Sequence, residues 1–78
     1  MKTTEYFRFR RRKSDRAWIR DEWIERVMKN PARRHVQTDG RIRLWGSISE
    51  ANEQHLRVIL LPGGETVHNA FFDRGFHL

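Results

Sequence analysis

Seventy-eight residues, none of them cysteine, make one small domain without disulfides, thiolate metal sites or a cysteine nucleophile. Sixteen Lys and Arg against ten Asp and Glu leave a net charge of +6, which favours an anionic partner: nucleic acid, an acidic protein or a membrane surface. No apolar run approaches the ~18 residues that span a bilayer and the first residues lack the apolar stretch of a signal peptide, so the expectation is a cytoplasmic protein with no membrane contact.

The charge is concentrated at one end. Residues 1–13 hold six cations and one anion, a net of +5, while residues 14–78 hold ten cations and nine anions, a net of +1. The chain therefore divides into a basic arm over 1–13 and a single compact α+β domain over 14–78. Within the arm, Phe7-Arg8-Phe9-Arg10 alternates aromatic and basic, the period of a strand, so the arm is a candidate edge strand or else a frayed tail. Its cations Arg8, Arg10, Arg11, Arg12 and Lys13 are candidate phosphate contacts.

Ser14 or Asp15 is a candidate N-cap, and Asp15, Asp21 and Glu22 place negative charge in the first turns of a helix that runs to Lys29 and stops at Asn30-Pro31. Ile19, Trp23 and Val27 lie four apart, with Ala17, Ile24 and Met28 in the adjoining row. Trp18 falls on the polar side. Arg20 falls inside the apolar arc and must snorkel or pair, with Glu65, Asp73 or a carboxylate outside the chain as partners.

Residues 33–39 read as a strand or an extended link, followed by a turn at Thr38-Asp39-Gly40. Alternation then marks a strand over residues 40–48, a polar loop covers 49–54, and further strands cover 56–61 and 66–72. A two-residue Gly63-Gly64 turn sets Leu60 against Val67, Val58 against Asn69 and Leu56 against Phe71. Aligning the other hairpin by apolar face puts Leu44 beside Leu60 and Ile48 beside Leu56. The expected architecture is α+β: one main helix packed on an antiparallel β-sheet of three to four strands.

One sheet face then carries Ile42, Leu44, Gly46, Ile48, Leu56, Val58, Leu60, Val67 and Phe71, with Asn69 as a polar intruder, and takes the helix. Gly46 lets the helix, or a Trp side chain, come close. The other face mixes Arg41, Arg43, Arg57 and His68 with Trp45, Ile59, Leu61 and Phe72. Its aliphatic and aromatic members call for a cover: the arm, the C-terminal tail, a second copy making a homodimer, or another chain.

The four histidines lie at no metal-ligand spacing, no glycine loop cradles a phosphate, and Ser47 lacks a nucleophile elbow, so neither metal nor cofactor is expected. The chemistry that needs the fewest specialised groups is RNA cleavage by its own 2′-hydroxyl. For that reaction Arg41, Arg43 and Arg57 are candidates to hold phosphorane charge, His68 to exchange the proton, and Trp45 or Phe72 to stack a base. The alternatives are a non-catalytic interaction module docking through Ile59, Leu61 and Phe72, and an RNA binder without chemistry.

A basic start, a Trp-containing helix ending in Asn30-Pro31, then Asp39-Gly40-Arg41-Ile42-Arg43, Leu56-Arg57-Val58 and Gly64-Glu65-Thr66-Val67-His68-Asn69-Ala70-Phe71-Phe72-Asp73-Arg74 resemble a group of small bacterial proteins. Their layout is similar to that of the compact BrnT-like toxins of the RelE superfamily. The resemblance covers residues 14–74 and implies an α+β fold, a ribonuclease or ribosome-directed ancestry and a small antitoxin protein as partner. It implies a variable set of basic side chains on the sheet, matched here by Arg41, Arg43, Arg57, His68 and Arg74. The chain departs from the fuller family in having one clear helix before the sheet and no long C-terminal helix.

Overall fold

The structure, a computed structural model, describes residues 1–13 and 15–78. It is α+β, with two helices on a five-stranded mixed sheet. Strand β1 (Lys2–Thr3) is followed by helix α1 (Glu5–Arg12), a 3₁₀ turn (Asp15–Trp18) and helix α2 (Asp21–Lys29). Strands β2 (Arg33–Val36), β3 (Ile42–Ile48), β4 (Gln54–Leu60) and β5 (Thr66–Phe72) complete the chain in an antiparallel meander. The strand order is β1-β5-β4-β3-β2, and β1 runs parallel to β5. Among the described residues no helix is long and apolar enough to cross a membrane.

The arm is the first correction. Phe7 to Arg10 is helical; only Lys2 and Thr3 form an edge strand. The Thr4 hydroxyl caps α1 by accepting the Phe7 amide (3.1 Å), Glu5 sits in the first turn, and Arg10, Arg11 and Arg12 sit in the last. Each of these favours helix over strand through the helix dipole and the otherwise unpaired amides. Four alternating residues are too short a run to outweigh them. Phe7 is the reason the helix stays: it is 2% exposed and belongs to the core.

The second helix is shorter than its apolar period. The expected single helix divides into the 3₁₀ turn and α2, with Ile19 and Arg20 between them. The expected cap at Ser14 lies outside the described residues. Ile19 is still buried beside Trp23, Ile24 and Val27, so the four-residue spacing is kept across the break. Ala17 is exposed and Met28 half-buried. Arg20 is the extended N-cap of α2, so it is exposed and needs no carboxylate; its guanidinium lies 6.0 Å over the Trp23 ring. Trp18 is 49% exposed and Trp23 buried, the phase the stripe demands.

On the sheet, α2 packs closely over Gly46, where a Cβ would come within 3.0 Å of Val27 Cγ2. In the β3–β4 hairpin Ile42 pairs with Leu60, Leu44 with Val58 and Gly46 with Leu56, a slide of two residues from the expected alignment. A slide of two leaves each side chain on its face. In the β4–β5 hairpin, Leu60 pairs with Val67 as expected, with Gly63 and Gly64 at positive φ in the turn. A β-bulge follows: Ile59 pairs with Asn69, Val58 with Ala70 and Leu56 with Phe72, and His68 is the extra residue. This one-residue shift reverses the rest of β5. Ala70 enters the core and Phe72 packs against it, while Asn69 and Phe71 move to the other face, correcting the expected positions of Asn69, Phe71 and Phe72.

Arg26 ties α2 to the 3₁₀ turn at Ser49–Ala51 through a two-pronged pair with Glu50 (2.9 and 3.0 Å). The hydrogen bonds from Arg26 hold the Glu50 carboxyl down at about 2, from an ordinary 4.5. A carboxyl with a depressed folded pKa contributes stability above its unfolded value and loses it as pH falls toward the folded one. The expected result is a Glu50 carboxyl resonance titrating near 2 by NMR, and in Arg26→Ala a return toward 4.5. An unchanged midpoint in Arg26→Ala would show that the pair does not set it.

Candidate functional site: the open face of the sheet

The face away from the helices is organised in cross-strand rows. Arg33, Trp45, Arg57 and Phe71 are consecutive register partners from β2 to β5. His35, Arg43, Ile59 and Asn69 form the next row. Arg41 precedes β3, and Leu61 follows β4, donating its amide to the Thr66 carbonyl (2.9 Å).

The first row is a stack of alternating cations and rings. The Arg57 guanidinium lies 5.2 Å from both the Trp45 and Phe71 ring centroids. Phe76 of the C-terminal tail inserts between Trp45 and Arg33, stacked on Trp45 at 4.9 Å and 12°, with Arg33 5.4 Å above it. Arg16 closes the other end, 5.2 Å over Phe71, and donates to Asn69 Oδ1 (2.8 Å). Asp73 anchors the stack. It accepts from Trp45 Nε1 (3.0 Å) and pairs with Arg57 (2.8 Å). The Trp45 indole, with Arg57 behind it, holds the Asp73 carboxyl below the usual carboxylate range against the opposing effect of burial.

Three expected roles are revised. Trp45 is 6% exposed beneath Phe76 and Arg57, so it is not an open platform for a base. Arg57 is committed to Asp73 and to two rings, and serves the fold before any phosphate. Phe72 lies on the helix side, stacked on Trp18 at 5.0 Å and edge-on to Trp23, rather than on the mixed face. The tail thus covers one half of the face from within the chain. Asp73, Phe76, Arg33 and Arg16 were not singled out as site residues from the sequence; the dense aromatics after Asn69 were the one signal.

The other half stays open. Ile59 and Leu61 are half-buried there, with Arg43 beside Ile59. No ion pair to Arg43 occurs among the described residues. Arg41 has the exposed Asp39 carboxylate at 3.8 Å. His68, on the bulge, is held from two sides: Tyr6 stacks on its ring at 4.8 Å, and Thr4 Oγ1 lies 3.2 Å from Nδ1. That hydroxyl accepts the Phe7 amide and keeps a second lone pair, so it can also accept from Nδ1–H, the tautomer of neutral His68 that leaves the Nε2 lone pair free. Burial, and secondarily the Arg41 charge, lower the His68 pKa from an ordinary 6.5, so the ring is neutral at pH 7. The sign is that of a histidine kept neutral in the fold: its contribution to stability is whole above 6.5 and falls as pH drops below it. Adjacent strands are about 4.8 Å apart, so Arg43 and Asn69, separated by β4, stand roughly 10 Å from one another.

The arm's cations are divided between folding and solvent. Arg11 donates to the Ile19 carbonyl (2.7 Å) and pairs with Asp21, joining α1 to the start of α2. Arg8 turns back onto the Thr3 carbonyl (2.7 Å) and hydroxyl (2.8 Å). Lys13 lies 5.1 Å over Phe9, and Arg10 and Arg12 are exposed. Among the described residues no group of three or more His, Asp or Glu is placed to hold a metal ion.

Comparison with known proteins returned no match among family models, curated proteins or solved structures.

Proposed function

We propose that this is a small basic, toxin-like protein that engages RNA across the open half of the sheet face. The observation that carries the reading is the juxtaposition of Arg43 and Arg41 with the aliphatic floor of Ile59 and Leu61 and a neutral His68. A strand laid there meets guanidinium groups for its phosphates and apolar surface for its bases, the combination that sequence-tolerant single-strand binding requires. The exposed cations of α1 extend the same electrostatic attraction. Neutral His68 can take the proton of a 2′-hydroxyl as its oxygen attacks the adjacent phosphorus. Arg41 and Arg43 can hold the charge that builds on the phosphoryl oxygens, and the 5′-oxygen leaves with a proton from the imidazolium so formed. Arg57, paired with Asp73, has no part in that step.

The test is RNA binding by fluorescence anisotropy as a function of salt. Replacing both Arg41 and Arg43 with glutamate should weaken binding at least tenfold and lower the slope of log affinity against log salt by about 1.4, or 0.7 for each lost single-strand contact. His68→Ala should keep binding and, if the face is catalytic, abolish cleavage measured in the presence of EDTA. An unchanged slope in the double variant would sink the RNA reading.

A second reading is favoured by Ile59 and Leu61, which are apolar and half-buried on the open half of the face. On this reading the face is a protein interface, for a small antitoxin-type partner or a second copy, ringed by arginines as interface centres are ringed by charge. Leu61→Asp should then abolish association, followed by light scattering, while the circular dichroism of the helices persists.

A further inference from the structure

Beside the last residues of β5 lies a cleft of about 450 Å³, lined by Arg16, Trp18, Gln54, Phe71, Phe72 and Arg74. Its volume is that of a small-molecule site. Trp18 is the largest exposed ring in the molecule, and it is held in place. It stacks on Phe72 at 5.0 Å and 12°, and meets Trp23 edge-on at 5.7 Å. A fixed, half-exposed indole offers stacking area at little further entropic cost. Two guanidinium groups line the same cleft, and among the described residues no carboxylate does. Arg16 is positioned by Phe71 and by the Asn69 amide oxygen; Arg74 is exposed and makes no ion pair among the described residues. Gln54, with both a donor and an acceptor, is half-buried in the wall.

Aromatic wall, paired cations and an amide are together the recognition chemistry of a planar heterocycle that carries an anion. We propose that this cleft binds a nucleoside monophosphate unit, with its base against Trp18, its phosphate on Arg74 and Arg16, and its base edge read by Gln54. The unit can come from a free nucleotide or from one position of a single strand. None of these residues belongs to the open half of the sheet face, so the site stands or falls apart from the reading of that face.

The experiment is titration of the ¹⁵N-labelled protein with 5′-AMP, 5′-UMP, and hexamers of adenylate and uridylate. The Trp18 indole resonance should shift and saturate, while those of buried Trp23 and Trp45 stay in place. Trp18→Leu should weaken binding about tenfold or more, the loss expected of one stacked base. Arg74→Glu, which removes an exposed side chain and leaves the fold intact, should do the same, and Lys29→Glu on α2 should not. Saturation by the monophosphates assigns the site to free nucleotides; saturation by the hexamers alone assigns it to a unit of the strand. If neither moves the Trp18 resonance, or if Arg74→Glu binds as well as the parent, the proposal is overturned.

Discussion

Phe7→Ala is expected to destabilise the protein by about 3–5 kcal/mol, measured by urea or thermal unfolding. The ring is 2% exposed and lies in the same core cluster as Ile19, Val67 and Ala70. Its removal leaves a cavity between α1 and the sheet, and α1 has few other apolar contacts with which to hold on: Phe7 is its one buried residue. A small domain has only about 5–15 kcal/mol in all, so the variant should be substantially unfolded at 37 °C. Phe9→Ala on the same helix is the control, since Phe9 is 49% exposed and its loss should move stability by no more than about 0.5 kcal/mol. If the two variants unfold alike, the first thirteen residues are an appendage rather than part of the fold, and the placement of α1 is wrong.

The second large effect is at Asp73. Asp73→Ala removes the carboxylate partner of Arg57 and the acceptor for Trp45 Nε1 together. Breaking one side of a fully buried ion pair costs about 3–5 kcal/mol; the two side chains here are 16% and 25% exposed, so water recovers part of that and about 2–3 kcal/mol is expected. Asp73→Asn keeps an acceptor for the indole but no charge for Arg57, and should fall between. With the anchor gone, Phe76 loses its fixed approach, and Trp45 should become accessible to iodide quenching while Trp23 does not. The dependence on pH follows from the depressed carboxyl: the stabilisation is present at neutral pH, above the ordinary carboxylate range, and is lost as pH falls through the lowered pKa. Full stability in Asp73→Ala, with Trp45 still shielded, would show that stacking alone holds the tail.

Several features were legible because a short stretch of chain carries the whole signal. The four-residue spacing of Ile19, Trp23 and Val27 survives the break in the helix, since burial selects the spacing and backbone continuity does not. Gly63-Gly64 announces its turn, both residues taking positive φ. In α1 the local signals conflicted. Thr4 and Glu5 favour a helix start, the alternation at Phe7 to Arg10 favours a strand, and only the burial of Phe7 decides between them.

The candidate site was legible in composition and not in arrangement. Arg41, Arg43, Ile59 and Leu61 lie on the open face because alternation on β3 and β4 is tied to the buried Ile42, Leu44, Val58 and Leu60. Trp45, Arg57 and Phe72 took other roles. The first two are spoken for by Asp73 and Phe76, residues 28 and 31 positions beyond Trp45 in the chain, and no local pattern foretells that Phe76 will fold back between Trp45 and Arg33.

By itself the sequence determined the α+β class, the apolar stripe that covers the sheet, the position of the last hairpin and the excess of positive charge at the start of the chain. Each is a property of contiguous residues: a period, a turn dipeptide, a count of charges. Tertiary structure decided the register, the bulge at His68 and the identity of the residues left open to a ligand. A strand's two faces are interchanged by a single inserted residue, and the chain accepts one at His68 because doing so buries Ala70 and sets Phe72 against Trp18 and Trp23, contacts that exist only once the helices are in place.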